Sequence, residues 1–145
     1  MLSVATILTT AADDISYHGL HQNPAVAHFV DTHGRLDLAG ALYRAATGTT
    51  PTEAADFTPD FMNLAIRTHD AAMEAIRWTS AAIEIRTQVG PPLTNGHPDY
   101  IEHITRWGEG TAIFQTQPPL VCEVIGLLHR AARLTHPHTT PALAA

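Results

Sequence analysis

The sequence predicts a mainly α, single-domain bundle of about five helices around a long central helix at about residues 59–89, with a small β-hairpin at about residues 25–37. Three observations predict it. Apolar residues recur at helical spacing through most of the chain. Capping residues and Gly or Pro stops punctuate that periodicity. One stretch, Ala25 to Asp37, shifts to a β-prone pattern broken by the turn signal Asp31-Thr32-His33-Gly34.

The central stretch runs from Thr58 to Val89. Thr58 is a good N-cap, Pro59 suits the first helical position, and Asp60 complements the positive end of the helix dipole. Gly90, Pro91 and Pro92 end it abruptly, and no proline interrupts it. At about 100° per residue, one stripe collects Phe61, Met62, Ala65, Ile66, Ala72, Met73, Ile76 and Ile83. A second collects Leu64, Ala71, Ala75, Trp78, Ala82 and Ile85 at spacings of 7, 4, 3, 4 and 3. A surface helix needs one apolar stripe, so two imply cover on two sides, by the rest of the chain or by a second copy. Trp78, Leu64 and Ile85 are therefore the candidate interface residues of a homodimer or of a docked partner protein.

Other elements follow in order. Residues 3 to 18 form an amphipathic helix capped by Ser3 and stopped by Gly19, and Asp37 caps an Ala-rich helix, Leu38 to Thr47, closed by Gly48. Gly40 inside that helix points to close approach of another backbone. A Thr/Pro-rich connector, residues 49–57, leads into the central helix. Past it, the residues from Gly90 to His97 are loop formers, Pro98 to Trp107 is a short helix, and Ala112 to Phe114 is a possible strand. The last helix starts at Pro118 or Pro119 and ends near Leu134, with Val121, Val124, Ile125, Leu128, Ala131 and Ala132 inward. The domain is placed at residues 1–135 and residues 136–145 are read as a tail.

Composition narrows the function classes. The 8 arginines are scattered among 14 carboxylates and there is no lysine, which argues against nucleic-acid binding. No apolar run approaches a membrane span, the N-terminus lacks a basic signal region, and one cysteine, Cys122, cannot close an intrachain disulfide. The expected setting is the cytoplasm, with neither nucleic acid nor membrane as partner. The abundance of Ala, Thr, Arg and His matches the codon bias of a high-GC genome, so the ten histidines count as composition before they count as chemistry.

No spacing matches a metal motif, and no nucleophile triad, P-loop or GxGxxG occurs. His18, His21, His28 and His33 crowd near Asp31 and Asp37, but exposed imidazoles outweigh a metal site there. Asp99 and His103, four apart, read as a pair on a solvated helix. His69 falls in the main apolar stripe between Ile66, Met73 and Ile76, which predicts a buried imidazole with a depressed pKa. Cys122 reads as an inert thiol at the edge of an inner face.

From Gly19 to Ala46 the chain resembles an uncharacterised family of small actinobacterial proteins, a domain of unknown function. The features that carry this are Gly19, Asp31 with Gly34-Arg35, Gly40-Ala41-Leu42 and Ala45-Ala46, then Trp107 and a final helix with Glu123-Val124, Leu127-Leu128 and Ala131-Ala132. Members often carry Cys where Asp37 stands, and Asn-Asp where this chain has Gly108-Glu109. The resemblance implies a fold and nothing chemical. Two function classes follow. The first is a non-catalytic binding or accessory protein acting through protein contacts, with no cofactor, metal or catalytic residue. The second is a small enzyme or small-molecule-binding protein with an apolar pocket lined by His69, Met73, Ser80, Trp107, His28 and Asp37.

Overall fold

In the computed structural model the described residues are 2–25, 29–31, 33–49, 59–110 and 117–136. They form six helices: α1 (Val4–His18), α2 (Leu38–Thr47), α3 (Pro59–Arg67), α4 (Asp70–Thr87), α5 (Tyr100–Glu109) and α6 (Val121–Leu134). A two-stranded antiparallel hairpin, β1 (Leu93–Thr94) with β2 (His97–Pro98), precedes α5. The chain is thus mainly helical, packed as one domain with a small hairpin, and the details depart from expectation in four places.

First, the central segment is two helices. The Thr68 N–H still bonds the Leu64 carbonyl, but the His69 N–H turns to the Ile66 carbonyl, and the Thr68 hydroxyl donates to the carbonyls of Leu64 and Ala65, so that the Ala65 carbonyl is taken out of a continuing helix. His69 then takes an extended conformation, φ −97° and ψ 105°, and its Nδ1 accepts from the Ala72 N–H at 3.2 Å. His69 is therefore an N-cap and not a core residue, and Asp70 opens the next helix. The expected cap Thr58 lies outside the described residues, as do the possible strand at residues 112–114 and the chain after His136.

Second, α4 buries one broad face in place of two stripes. Ala72, Ala75, Ile76, Thr79, Ser80, Ala82 and Ile83 are all buried. That face explains why α4 touches each of the other helices. Leu64 and Ile85 stay outside it, 60% and 69% exposed, and Trp78 is partly buried against the core.

Third, among the described residues the two-stranded ladder forms about Asn95-Gly96 and not in the expected 25–37 stretch. Asn95 (φ 53°) and Gly96 (φ 79°) give the two left-handed turn residues that a tight hairpin demands. Among the described residues between 29 and 37 there is a single bridge, Val30 with Leu36. Asp31 organises its turn: Oδ1 accepts from the His33 and Arg35 N–H groups, and Oδ2 from Arg35 Nε at 2.7 Å. Burial opposes ionisation of Asp31, but these Arg35 and His33 bonds and the Arg35 charge outweigh it and hold its pKa below the usual 3.8.

Fourth, Cys122 is exposed on α6. The expected ends of α1 and α2 hold, whereas α5 starts at Tyr100 behind its cap Asp99 and not at Pro98, which is in β2, and α6 starts at Val121 and not at Pro118 or Pro119. Ser3 caps α1 and Gly19 closes it, and Asp37 caps α2 with Gly48 (φ 76°) behind it. Gly40 sits where a Cβ would come within 2.9 Å of the Phe29 carbonyl, so the anticipated close approach of backbone is real. None of the described helices is long and apolar enough to cross a membrane.

Candidate functional site

Two polar arrangements enclosed by the fold must be separated from anything that faces a ligand. One is a clasp around Asp37, which is buried. Its Oδ1 accepts from the Gly40 N–H at 2.8 Å and its Oδ2 from the Phe29 N–H at 3.1 Å, while its own N–H donates to the Phe29 carbonyl. Phe29 is buried with φ 78°, a conformation costly for a bulky residue, and Asp37 grips both sides of it. The carboxylate is committed to the backbone. His28, the candidate beside it, lies outside the described residues.

The other is the tie between α4 and α5. His103 is fully buried, with Ser80 Oγ at 2.6 Å from Nδ1 and the Val89 carbonyl at 2.7 Å from Nε2. A carbonyl only accepts, so Nε2 carries the proton and the Ser80 hydroxyl donates to Nδ1. Burial lowers the His103 pKa below its ordinary 6.5, against the raising effects of the Val89 carbonyl and the Glu84 charge. The expectation of a solvated Asp99/His103 pair is corrected: Asp99 is the α5 N-cap and His103 is core. The spacing of Ser80 to His103 matches that of a nucleophile and its base, yet both side chains are sealed. They hold the fold.

The other sequence candidates disperse. Trp107 is buried in the core, His69 caps α4 with its ring edge-on to Tyr43 at 6.0 Å, and Met73 lines a small pocket of about 80 Å³ with Arg67, His97 and Tyr100. Met73 and Ser80 lie on α4, Trp107 on α5 and Asp37 before α2, and neither this pocket nor the two depressions described next gathers them. His21 is buried, not at a frayed end, and its N–H donates to the Leu36 carbonyl. Among the described residues no group of three or more His, Cys, Asp or Glu could hold a metal ion. A second depression, about 130 Å³, lies between α1, the Asp31 turn and α2, with Asp14, His18, His33 and Arg44 on its walls.

The largest of these three concavities is elsewhere. Between α4 and α6 runs an open groove of about 550 Å³ lined by Ala82, Ile85, Arg86, Arg130, Arg133 and Leu134. Its floor is aliphatic and its rim carries three guanidinium groups. Arg86 is paired with Glu123 at 2.9 Å, and Glu123 also accepts from the Leu120 N–H at the start of α6. Arg130 has no such partner. Its Nη2 is out of reach of solvent and of any acceptor in the described chain, and its Nη1 lies 3.7 Å from where a Gly126 side chain would begin. Of the sequence candidates only Ile85 belongs here; the arginines carried no spacing signal, because one comes from α4 and two from α6.

These features define a class: a small helical domain, tied shut by polar residues on one side and open along a cationic, apolar groove on the other. The chain belongs to a family of unknown function (DUF6197), whose model matches residues 1–134. No curated protein and no solved structure matches it.

Proposed function

We propose that the protein is a non-catalytic docking or accessory protein, acting in the cytoplasm of an actinobacterial cell through protein–protein contacts at the α4–α6 groove. One observation carries this reading: an exposed aliphatic floor, with Ile85 at 69% exposure, beside a guanidinium nitrogen that the chain encloses and leaves without an acceptor. Leaving a buried donor unpaired costs about 1–3 kcal/mol. A partner that brings a carboxylate to the Arg130/Arg133 rim and apolar side chains to Ile85 and Leu134 neutralises the rim and covers the floor.

A photo-cross-linking residue placed at position 85 in the cells of origin tests the reading. The expected result is a discrete protein adduct that disappears when Arg130 and Arg133 are both changed to Glu. No adduct from position 85, or the same adduct from a cross-linker at the exposed Tyr17 on α1, would defeat it.

A further inference from the structure

The recess between α1, the Asp31 turn and α2 is separate from the docking groove, and no residue lines both. Its floor is apolar, made by Ile15, Leu36 and Ala41, all of them buried. Its walls carry two exposed histidines, His18 and His33, and three charged side chains, Asp14, Arg35 and Arg44. At about 130 Å³ it is well below the roughly 300–1,000 Å³ of sites for drug-sized ligands and cofactors, so what fits it is a small ion.

The charged groups on these walls differ in how they are used. Arg35 is committed to the turn: its Nε donates to Asp31 Oδ2 at 2.7 Å, and its stem crosses the end of α1 at Gly19, where a Cβ would come within 3.3 Å of its Cδ. Asp14 and Arg44 are not committed. Each is half-buried, and neither forms an ion pair with the other or with any described residue. Asp14 shares a face of α1 with His18, four residues on, and Arg44 shares a face of α2 with Ala41, three residues back. Two opposite charges, each partly withdrawn from water, thus line one small space without meeting across it.

We propose that this recess binds a small zwitterion, a free amino acid or another short amino carboxylate. Its carboxylate lies on Arg44, its ammonium on Asp14, and its carbon atoms over Ile15 and Leu36. A simple anion would gain Arg44 and be repelled by Asp14, and a simple cation would meet the reverse. Only a molecule carrying both signs satisfies both walls, and each contact is then a charge-assisted hydrogen bond in a partly desolvated setting.

NMR titration of the full chain, followed at the Gly19 and Gly34 amides, tests this. L-alanine and γ-aminobutyrate serve as zwitterions, and propionate, ethylammonium and inorganic phosphate as probes of a single sign. The expected result is a saturable shift with a zwitterion, at an affinity about tenfold or more above that of any single-sign probe. Asp14→Asn should bring that zwitterion and propionate to equal affinity, and Arg44→Gln should do the same for the zwitterion and ethylammonium. Circular dichroism melts of both variants should match the wild type, and the comparison of probes on the wild type stands whether or not a variant folds. Failure of both zwitterions to shift these amides, propionate or phosphate binding as tightly as the zwitterion, or a preference that survives Asp14→Asn overturns the proposal. The docking reading is judged separately by the position-85 adduct, since no groove residue is altered in these variants.

Discussion

The His103 and Asp37 ties and the Arg130 groove handle enclosed polar groups in opposite ways, although the Thr105 hydroxyl on α5 is also enclosed without a partner among the described residues. Toward α5, His103 has a partner on each ring nitrogen, and across α2 the Asp37 carboxylate accepts two backbone N–H groups. Toward α6, Arg130 Nη2 is enclosed with no acceptor. A buried polar group that is satisfied fixes the fold, whereas one that is not costs free energy until something outside the chain supplies the missing atom. The comparison therefore separates residues whose loss should unfold the protein from residues whose loss should leave it folded and unable to dock.

The largest effect should come from the Asp37 clasp. Asp37→Ala removes the α2 cap and the side-chain grip on the Phe29 N–H, leaving the backbone bond from residue 37 to the Phe29 carbonyl as what remains of the clasp around its φ of 78°. The expected loss is about 3 kcal/mol, combining a lost cap with charge-assisted hydrogen bonds. At this chain length that lowers Tm by roughly 6–12 °C in a calorimetric scan. Asp37→Asn should recover part of it. A loss below about 1 kcal/mol would show that the clasp does not hold the α2 corner.

His103 comes next, with a pH signature. His103→Leu leaves the Ser80 hydroxyl and the Val89 carbonyl unmet and should cost about 2 kcal/mol. Because burial holds the folded pKa below the unfolded value of about 6.5, the unfolded chain takes up the proton first. Wild-type stability is thus complete above about pH 6.5 and declines as pH falls toward the folded pKa. His103→Gln should flatten that decline in melting curves taken across the range. If the mutant follows the wild type, another group governs the titration.

What was legible in the sequence follows from how local its cause is. Ser3, Asp37, Gly19 and Gly48 announce the ends of α1 and α2 because capping involves residues three or four apart, and Gly40 announced a backbone contact because little else explains glycine there. The break at His69 was missed because apolar spacing continues almost in phase across it and histidine is an unusual N-cap; Asp70 in a new first turn was the available signal. The Asn95-Gly96 pair was a hairpin signal read as a loop. His103 was out of reach, since its burial depends on Ser80, 23 residues away, and six of the ten α5 residues are buried. The groove was equally hidden, because no segment contains it: it exists only where α4 meets α6.

His69 offers a smaller effect. As an N-cap, its loss in His69→Ala should cost about 1 kcal/mol through the orphaned Ala72 N–H. His69→Asn should restore most of it. A melting temperature unchanged in His69→Ala would show that the ring does not cap α4.

Arg130 should give the smallest change in stability, and it is the change that separates the two sides most sharply. Arg130→Met keeps most of the aliphatic stem over Gly126 and deletes an enclosed donor that has no acceptor. Removing such a donor relieves a desolvation cost, while the variant gives up some long-range attraction to the carbonyl end of α6. The two contributions nearly cancel, so Tm in the isolated chain should move by no more than the equivalent of about 0.5 kcal/mol in either direction. Arg86→Met serves as the neighbouring control, since it breaks the Glu123 pair, a half-exposed contact worth on the order of 0.5 kcal/mol. Docking should respond differently, because Arg130→Met deprives an incoming carboxylate of its buried partner whereas Arg86 already has one. A loss of more than about 2 kcal/mol on Arg130→Met would mean that this guanidinium supports the fold as His103 does, and the distinction between a sealed side and an open one would no longer stand.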